Sequence, residues 1–209
     1  KPSSRIYKSL NFTVACHSFS DLSFKITDFN GTRYQIPNVA PFSVDPLAKS
    51  TFPIALSSFI VNYTTNPFNF KIIRRTDNEL LFDSSVGNII FSEHYIEIST
   101  KVASRTVWGF GERFSNRFRI QPGKYTIFNR DRGQVVDKQE GLQTYGHYPI
   151  YFLKDNSSNF HINYFRNSNA MDVIVNETSG ETYSFTYKTI GGMIDFRFIL
   201  GIDSAEETI

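Results

Sequence analysis

The sequence Trp-Gly-Phe-Gly-Glu-Arg at residues 108–113 opens the region that decides the fold. A long polar segment runs from Arg132 to Thr144, and Tyr-Gly-His-Tyr-Pro follows it at 145–149. A long loop in a compact domain usually has a function or is disordered. The region therefore predicts a β-domain that carries one long functional loop. We call four dense runs the four patches: 108–113, Phe-Asn-Arg-Asp at 128–131, Asn-Ser-Asn-Ala-Met-Asp at 167–172 and Gly-Gly-Met-Ile-Asp-Phe at 191–196.

Most of the remaining sequence predicts β-strands. Residues 22–27 alternate apolar and polar side chains, which is the period of a half-buried strand. Turn residues recur about every 8–12 residues, as in a sandwich. The 21 Phe and 11 Tyr residues suit pleated, half-buried surfaces. Strands are predicted at 22–27, 34–36, 59–64, 69–75, 80–83, 86–91, 95–99, 125–128, 149–153, 159–165, 172–175, 183–188 and 195–200.

The only helix signal lies at the C-terminal end of the sequence. Asp203 with Glu206, and Ser204 with Glu207, each fit a capping box, so a linker helix is predicted to start there. The sequence begins without Met and stops one turn into that helix. We therefore expect a single domain, 1–209, that is a piece of a longer protein.

Composition excludes several functions. The net charge is +2 without a long block of like charge, which argues against a nucleic-acid groove or a membrane-surface patch. The sequence contains no run of about 18 apolar residues, so no membrane span is predicted. Cys16 is the only cysteine, so it is either a small buried hydrophobe or paired outside this chain. The sequence has no Cys/His ligand cluster and no phosphate-binding glycine loop, so no metal or organic cofactor is predicted.

Five asparagines stand in Asn-x-Ser/Thr sequons, which are acceptors for N-linked glycans. Each falls in a polar context that we interpret as turn-like, where a glycan fits. These candidates favour a protein of the secretory pathway, whether secreted, lysosomal or tethered outside the cell. They are Asn11, Asn30, Asn62, Asn156 and Asn176.

The patches also permit a purely structural interpretation. Gly109 and Gly111 flank Phe110, which predicts a strand-to-loop corner, with catalytic use of Glu112 as the less favoured alternative. Asp172 and Asp195 are interpreted as structural carboxylates that need partners if they are buried.

The order and spacing of the four patches resemble the N-terminal β-sandwich domain of glycoside hydrolase family 31, the α-glucosidase family. Within it, the likeness is to the maltase-glucoamylase, sucrase-isomaltase and lysosomal acid α-glucosidase group. Upstream text agrees, at Phe24-Lys-Ile-Thr-Asp, Asn66-Pro-Phe and Leu81-Phe-Asp-Ser-Ser-Val-Gly. The resemblance runs from about Leu22 to the end of the chain.

The resemblance implies an all-β, galactose-mutarotase-like super-β-sandwich followed by a TIM-barrel catalytic domain, which is absent from this sequence. The parent protein would be a retaining exo-α-glucosidase that acts on α-1,4- or α-1,6-linked glucosides or maltooligosaccharides. Retaining hydrolysis needs two carboxyl groups about 5–5.5 Å apart. In the family both belong to the barrel, and the nucleophile motif Trp-x-Asp-Met-Asn-Glu does not occur here. We therefore expect no catalytic residue in this chain and no activity from it alone.

The resemblance also implies a role for the loop at about 129–145. The family's aspartate in this motif reaches into the barrel's active site and hydrogen-bonds the bound sugar, and Asp131 matches it. Tyr145 either stacks on a sugar or fills core space. Intestinal members have two threonines after this aspartate, where Arg132 and Gly133 stand here. This departure suggests altered preference beyond the cleaved bond.

Two other classes of function stay open on the sequence. One is a free-standing carbohydrate-binding sandwich. The other is an aldose mutarotase, which uses a histidine and a glutamate on a related fold. The available residues for that chemistry are His147, His161, Glu112 and Glu93, and His161 in its aromatic strand is better explained as a core residue.

Overall fold

The computed structural model describes residues 7, 9–31, 33–37, 52–131, 141–180 and 182–201. These ranges contain strands and two short 3₁₀ turns, Ile54–Leu56 and Ser84–Val86, so the predicted all-β class is confirmed. The strands are β1 Leu10–Ser18, β2 Asp21–Asp28, β3 Phe59–Thr65, β4 Phe68–Arg74, β5 Leu80–Asp83, β6 Ile90–Phe91, β7 Ile96–Val102, β8 Val107–Arg113, β9 Gly123–Ile127, β10 Gln143–Lys154, β11 Phe160–Phe165, β12 Met171–Thr178, β13 Thr182–Thr189 and β14 Ile194–Gly201.

The strands form three antiparallel sheets. A six-stranded sheet has the order β1-β2-β14-β11-β10-β8, and a five-stranded sheet has the order β6-β7-β13-β12-β9. The third sheet is β3-β4-β5. Strands β11, β12 and β13 alternate buried and half-buried residues along most of their length, which is the pattern of a sheet with one face on a core.

Aromatic rings fill the space between the sheets. Phe165 and Phe196 stack with ring centroids 4.4 Å apart and an interplanar angle of 4°. Phe24 stacks on Phe196 at 5.1 Å and meets Phe82 edge-on at 5.2 Å. All four rings are at most 1% exposed, and each contributes about 1.5–3 kcal/mol through burial. Cys16 belongs to the same core at 1% exposed.

The two ends of the sandwich differ. One end holds the starts of β10, β12 and β14 and the ends of β9, β11 and β13, and we call it the patch end because the last three patches lie there. The opposite end holds the β10–β11 and β12–β13 turns. At that end the buried carboxylate of Asp155 pairs with Arg74.

Several predicted boundaries were wrong. Strand β1 was not predicted, and residues 33–37 form no strand. The predicted strand at 86–91 is only Ile90–Phe91, because the 3₁₀ turn capped by Asp83 precedes it. Strand β10 begins at Gln143, so the long loop ends before Thr144. The predicted linker helix and residues 132–140 of the loop lie outside the described residues.

His161 lies in the core, as the sequence indicated. It is 1% exposed, its ring meets Tyr151 at 5.8 Å, and neither ring nitrogen has a hydrogen-bond partner among the described residues. Burial, together with the nearby positive charge of Arg74, lowers the pKa of His161 from 6.5 to about 3. The ring is therefore neutral in the folded protein at any pH near 7.

This burial predicts a pH-dependent stability. The unfolded chain protonates His161 near pH 6.5 and the folded chain only near pH 3, so between these values the unfolded state binds more protons. The contribution is complete above pH 6.5 and is lost as the pH falls toward 3. The free energy of unfolding should drop by about 2 kcal/mol from this residue between pH 7 and pH 5.

Urea unfolding of the chain at both pH values, followed by Trp108 fluorescence, measures the effect. His161→Phe should remove this part of the pH dependence and be neutral or stabilising at pH 7, because it removes an unpaired buried polar group. The exposed His94, changed to Gln, is the matched control and should keep the wild-type dependence. An identical pH dependence in the wild type and His161→Phe would contradict the prediction.

Candidate functional site

The first patch meets the start of β10. Tyr148 pairs with Gly111 across β8 and β10, and the register shifts on both sides of it. The carboxylate of Glu112 accepts a hydrogen bond from the backbone N–H of Gly146, at 2.9 Å. The Gln143 side-chain amide donates to the carbonyl of Gly146. Glu112 is thereby used to fix the irregular start of β10.

Asp131 and Tyr145 lie together in this region. Strand β9 ends at Ile127, and the N–H of Arg130 donates to the carbonyl of Thr144 at 2.9 Å, which ties the second patch to β10. The Asp131 carboxylate lies near enough to the Tyr145 hydroxyl to influence its pKa. Partial desolvation raises the pKa of Tyr145, and the negative charges of Asp131 and Glu112 add to the effect. The tyrosine therefore stays protonated and can donate.

The placement of Tyr145 corrects the sequence interpretation. It lies in β10 rather than in the loop, and its side chain is 53% exposed, so it does not fill core space. Asp131 is also exposed. Both predicted substrate-binding residues therefore face solvent side by side at the patch end.

Asn167 joins the third and fourth patches. Its side-chain nitrogen donates to the carbonyls of Gly191 at 2.8 Å and Met193 at 3.1 Å. Its side-chain oxygen accepts from the backbone N–H and the side-chain nitrogen of Asn169, each at 2.9 Å. Gly192 has φ +74°, and a Cβ there would stand 2.7 Å from the side-chain nitrogens of both asparagines. The turn therefore needs glycine for its conformation and for space.

His147 connects the two halves of the site. Its Nε2 lies 3.1 Å from the carbonyl oxygen of Asn169, so the start of β10 is held against the third patch. A cavity of about 330 Å³ opens beside this contact. Its lining residues are Ile36, Phe128, Asn129, His147, Tyr164, Asn167, Ser168 and Ala170. Through these contacts the end of the first patch meets the other three patches at one end of the sandwich.

Charged side chains interact beneath the surface of the patch end. The carboxylate of Asp195 is 3.6 Å from Lys25 Nζ and 3.9 Å from Arg166 Nε. Burial raises the pKa of Asp195, and the charges of Lys25 and Arg166 offset only part of that effect. The expected partners of this aspartate are therefore present. Asp172 is only half-buried and accepts a hydrogen bond from the Thr126 hydroxyl at 2.6 Å.

Arg33 is a site-building residue that the sequence did not reveal. Its guanidinium donates to the carbonyls of Gly192 and, at 2.6 Å, Ser92, and it lies 4.8 Å from the centre of the Phe91 ring. The arginine and Gly192 are 159 positions apart, and no local pattern marks such a contact.

The chemistry of the patch end suits a polyhydroxylated ligand. Exposed aromatic rings, carboxylates and amides are the groups that stack on sugar rings and hydrogen-bond their hydroxyls. Among the described residues, no three His, Cys, Asp or Glu side chains are grouped so as to hold a metal ion. Within the same ranges, no helix has the length and apolar character needed to cross a membrane. The fold and this site thus define an antiparallel β-sandwich with exposed aromatic rings, carboxylates and amides gathered at one end.

The sequence of this chain is similar to parts of larger known proteins. The chain is 35% identical over 202 residues to intestinal sucrase-isomaltase of Oryctolagus cuniculus, covering 94% of this chain and 10% of that protein. It is 28% identical to the lysosomal acid alpha-glucosidase of Tetrahymena pyriformis, covering 100% of this chain and 22% of that protein. No family model matches this sequence.

Solved structures show the same fold. A family 31 dextranase of Flavobacterium johnsoniae, complexed with isomaltotriose, superimposes with a TM-score of 0.66 at 14% identity over 96% of this chain and 26% of that one. The predicted galactose-mutarotase-like super-β-sandwich is thereby confirmed at the level of the fold. The resemblance stated from the sequence is also confirmed. The chain is homologous to a segment of family 31 glycoside hydrolases, and it spans about a tenth to a fifth of the length of these curated relatives.

The Asn167 contacts generate a stability prediction. Asn167→Ala leaves the buried carbonyls of Gly191 and Met193 without their donor, and each such loss costs about 1–3 kcal/mol. The free energy of unfolding should fall by about 2–4 kcal/mol. Urea unfolding of the chain measures this directly.

Asn129 gives the matched control. It lines the same cavity but is exposed, so Asn129→Ala should change the stability by less than about 0.5 kcal/mol. Equal effects of the two substitutions would show that the Asn167 hydrogen bonds do not hold the turn.

Proposed function

We propose that the chain is the N-terminal β-sandwich of a retaining exo-α-glucosidase, and that its patch end shapes one wall of the sugar pocket on a downstream TIM barrel. The proposed substrates are α-1,4- or α-1,6-linked glucosides. The observation that carries the proposal is the exposed Asp131–Tyr145 pair at the meeting point of the four patches. The much greater length of the homologous glucosidases supports a partner domain.

Asp131 has the properties of a substrate-binding group. It is exposed, its tyrosine partner is neutral, and a carboxylate has about four acceptor sites. The Asp131 carboxylate therefore offers acceptor sites for the hydroxyls of a sugar. We infer that Tyr145 orients Asp131 while its exposed ring forms part of the pocket wall.

Exposed aromatic rings at the patch end support a docking surface for the barrel. Tyr34, Phe128, Tyr145 and Tyr148 are each more than half exposed. Phe128 lines the 330 Å³ cavity, and Tyr34 lines a smaller one formed with Asn167 and Gly192. A cluster of exposed aromatic rings marks an interaction site more often than single exposed apolar residues do. The proposed occupant is the protein's own downstream barrel domain.

The first test removes the Asp131 carboxylate in the full-length enzyme. A lost hydrogen bond to a charged group costs about 1.5–3 kcal/mol, so Asp131→Ala should lower kcat/KM for maltose by about 10- to 100-fold. Removal of a catalytic carboxylate would cost several further orders of magnitude. Asp131→Asn should retain part of the activity, because the amide oxygen still accepts a hydrogen bond.

Glu177→Gln is the control for this experiment. It removes a carboxylate from the opposite end of the same domain, where only a surface pair with Arg105 is lost, and it should leave kcat/KM unchanged. A thermal melt is recorded beside each assay. A fall in melting temperature that accounts for the activity loss would assign Asp131 to loop stability, and unchanged activity would refute a sugar contact.

A second test concerns the chain by itself. Purified, it should not hydrolyse 4-nitrophenyl α-glucoside above background, because both catalytic carboxylates are proposed to lie on the barrel. Glu112 and Asp131 are the carboxylates near Tyr145, so they are the ones to question. Turnover that is abolished by Glu112→Gln or Asp131→Asn would place the chemistry in this domain instead.

The alternatives have less support. An aldose mutarotase needs a histidine that meets the sugar, and His161 is sealed in the core as a neutral ring. His147 is engaged with the Asn169 carbonyl. A free-standing carbohydrate-binding sandwich would also explain the patch end, but the much greater length of the homologous glucosidases favours a domain of a larger enzyme. It is distinguished by isolated-domain binding of maltooligosaccharides, which the proposed enzyme segment should lack without its barrel.

We also propose that the protein passes through the secretory pathway. Relatives named as intestinal and lysosomal support this, and so do the sequons. All five sequon asparagines are exposed, whereas Asn163 and Asn167, outside sequons, are buried. The prediction that all five lie in turns was wrong. Asn11, Asn62 and Asn176 stand in strands β1, β3 and β12, while Asn30 and Asn156 stand in turns.

A further inference from the structure

We propose that Asn156 carries an N-linked glycan whose first N-acetylglucosamine lies in a polar cleft at the opposite end of the sandwich and stabilises it. The inference rests on the proposed secretory route, because only a protein on that route meets the oligosaccharyl transferase. It goes beyond the presence of a sequon, since it assigns a binding place to the attached sugar.

The turn that bears Asn156 is rigid. The Asp155 side chain accepts hydrogen bonds from the backbone N–H groups of Ser157 at 2.8 Å and Asn159 at 2.9 Å. The N–H of Ser158 donates to the Asp155 carbonyl at 3.2 Å. The same carboxylate is buried against Arg74. Asn156 is exposed between these anchors, so an attached sugar starts from a fixed position.

A cleft lies directly beside that position. It has a volume of about 320 Å³, at the lower end of the range for pockets that hold small organic ligands. Its lining is largely polar, and the Asn156 side chain forms part of it. The residues that matter for the argument are Ser104, Arg105, Thr106, Arg119, Gln121 and Asn156.

Arg119 and Gln121 offer hydrogen bonds that suit an N-acetylhexosamine. Arg119 Nη2 donates to the Thr106 hydroxyl at 2.7 Å and to the Arg105 carbonyl at 3.5 Å, and no hydrogen bond of Arg119 Nε or Nη1 is seen among the described residues. No described carboxylate pairs with this guanidinium. The Gln121 amide nitrogen donates to the Ile120 carbonyl, so its oxygen is left as an acceptor. Donors can meet the acetyl carbonyl, and an acceptor can meet a ring hydroxyl.

Covalent attachment makes weak contacts sufficient. A tethered sugar binds its cleft without the translational entropy cost that a free sugar pays. Even one or two net hydrogen bonds then give a measurable stabilisation, equivalent to a melting-temperature shift of about 2–4 °C for a domain of this size.

The first experiment is a map of occupied sequons. The full-length protein is secreted from a eukaryotic host, and glycopeptides are identified by mass spectrometry. Asn156 should be occupied. An unmodified Asn156 beside another occupied sequon, such as Asn62, overturns this inference and leaves the proposed secretory route standing. If the protein isolated from its own cells carries no glycan on any sequon, the proposed secretory route is contradicted.

The second experiment tests the cleft through coupling. Melting temperatures are compared for protein trimmed to the first sugar with endoglycosidase H and for Asn156→Gln protein trimmed in the same way, each with and without Arg119→Ala. Arg119→Ala should lower the melting temperature by about 2–4 °C more when the first sugar is present than when it is absent.

Arg117→Ala is the matched control, because Arg117 is an exposed neighbour outside the cleft, and it should show no coupling to the sugar. Asn62→Gln should remove the glycan at residue 62 without changing the coupling between the first sugar at Asn156 and Arg119→Ala. If Asn156 is occupied and Arg119→Ala has the same effect with and without the first sugar, the sugar does not lie in the cleft and the inference fails.

Discussion

The stack of Phe165 on Phe196 is the contact on which the patch end depends. The two rings lie 4.4 Å apart on residues that pair directly across β11 and β14. A slip of one residue in this register would turn every core side chain of one strand outward. Just past this pair the strands separate, and Asn167 reaches the carbonyls of Gly191 and Met193. Core packing therefore sets the position of the asparagine that joins the third and fourth patches.

Burial then sorts the carboxylates of this end by what they can do. Asp195 is buried and faces Lys25 and Arg166, so its carboxylate is not accessible to a ligand. Glu112 is exposed but is engaged by the N–H of Gly146, which fixes the irregular start of β10. Asp131 differs from both, because it is exposed and the group beside it is the hydroxyl of Tyr145, which is itself exposed. Of the three, Asp131 is the carboxylate that we propose meets a ligand.

The predictability of the fold follows from the range of the interactions. Strands such as β2, β11 and β13 alternate apolar and polar side chains, so their sequences predict them. Strand β1 was not predicted, although Leu10, Phe12 and Val14 alternate with polar residues; in the structure it is an edge strand. Tyr145 was misplaced because the extent of β10 is decided by its pairing with β8, which is interrupted by register shifts. The contacts of Arg33 and Asn167 join distant positions and leave no periodic signal.

For the same reason, the sequence identified residues of the candidate site but not their arrangement in space. Glycine at 192 is visible in the sequence, yet its need arises from two asparagine side chains that occupy the space of a Cβ. Asp131 was singled out by resemblance, whereas its tyrosine partner and the contact that holds His147 on the Asn169 carbonyl emerge only when four separated patches are folded together. The described parts of this surface are anchored to the core by strand ends and by hydrogen bonds such as that from Arg130 to the Thr144 carbonyl. A side chain held in this way can meet a neighbouring domain at a lower cost in ordering entropy than a side chain on a free loop.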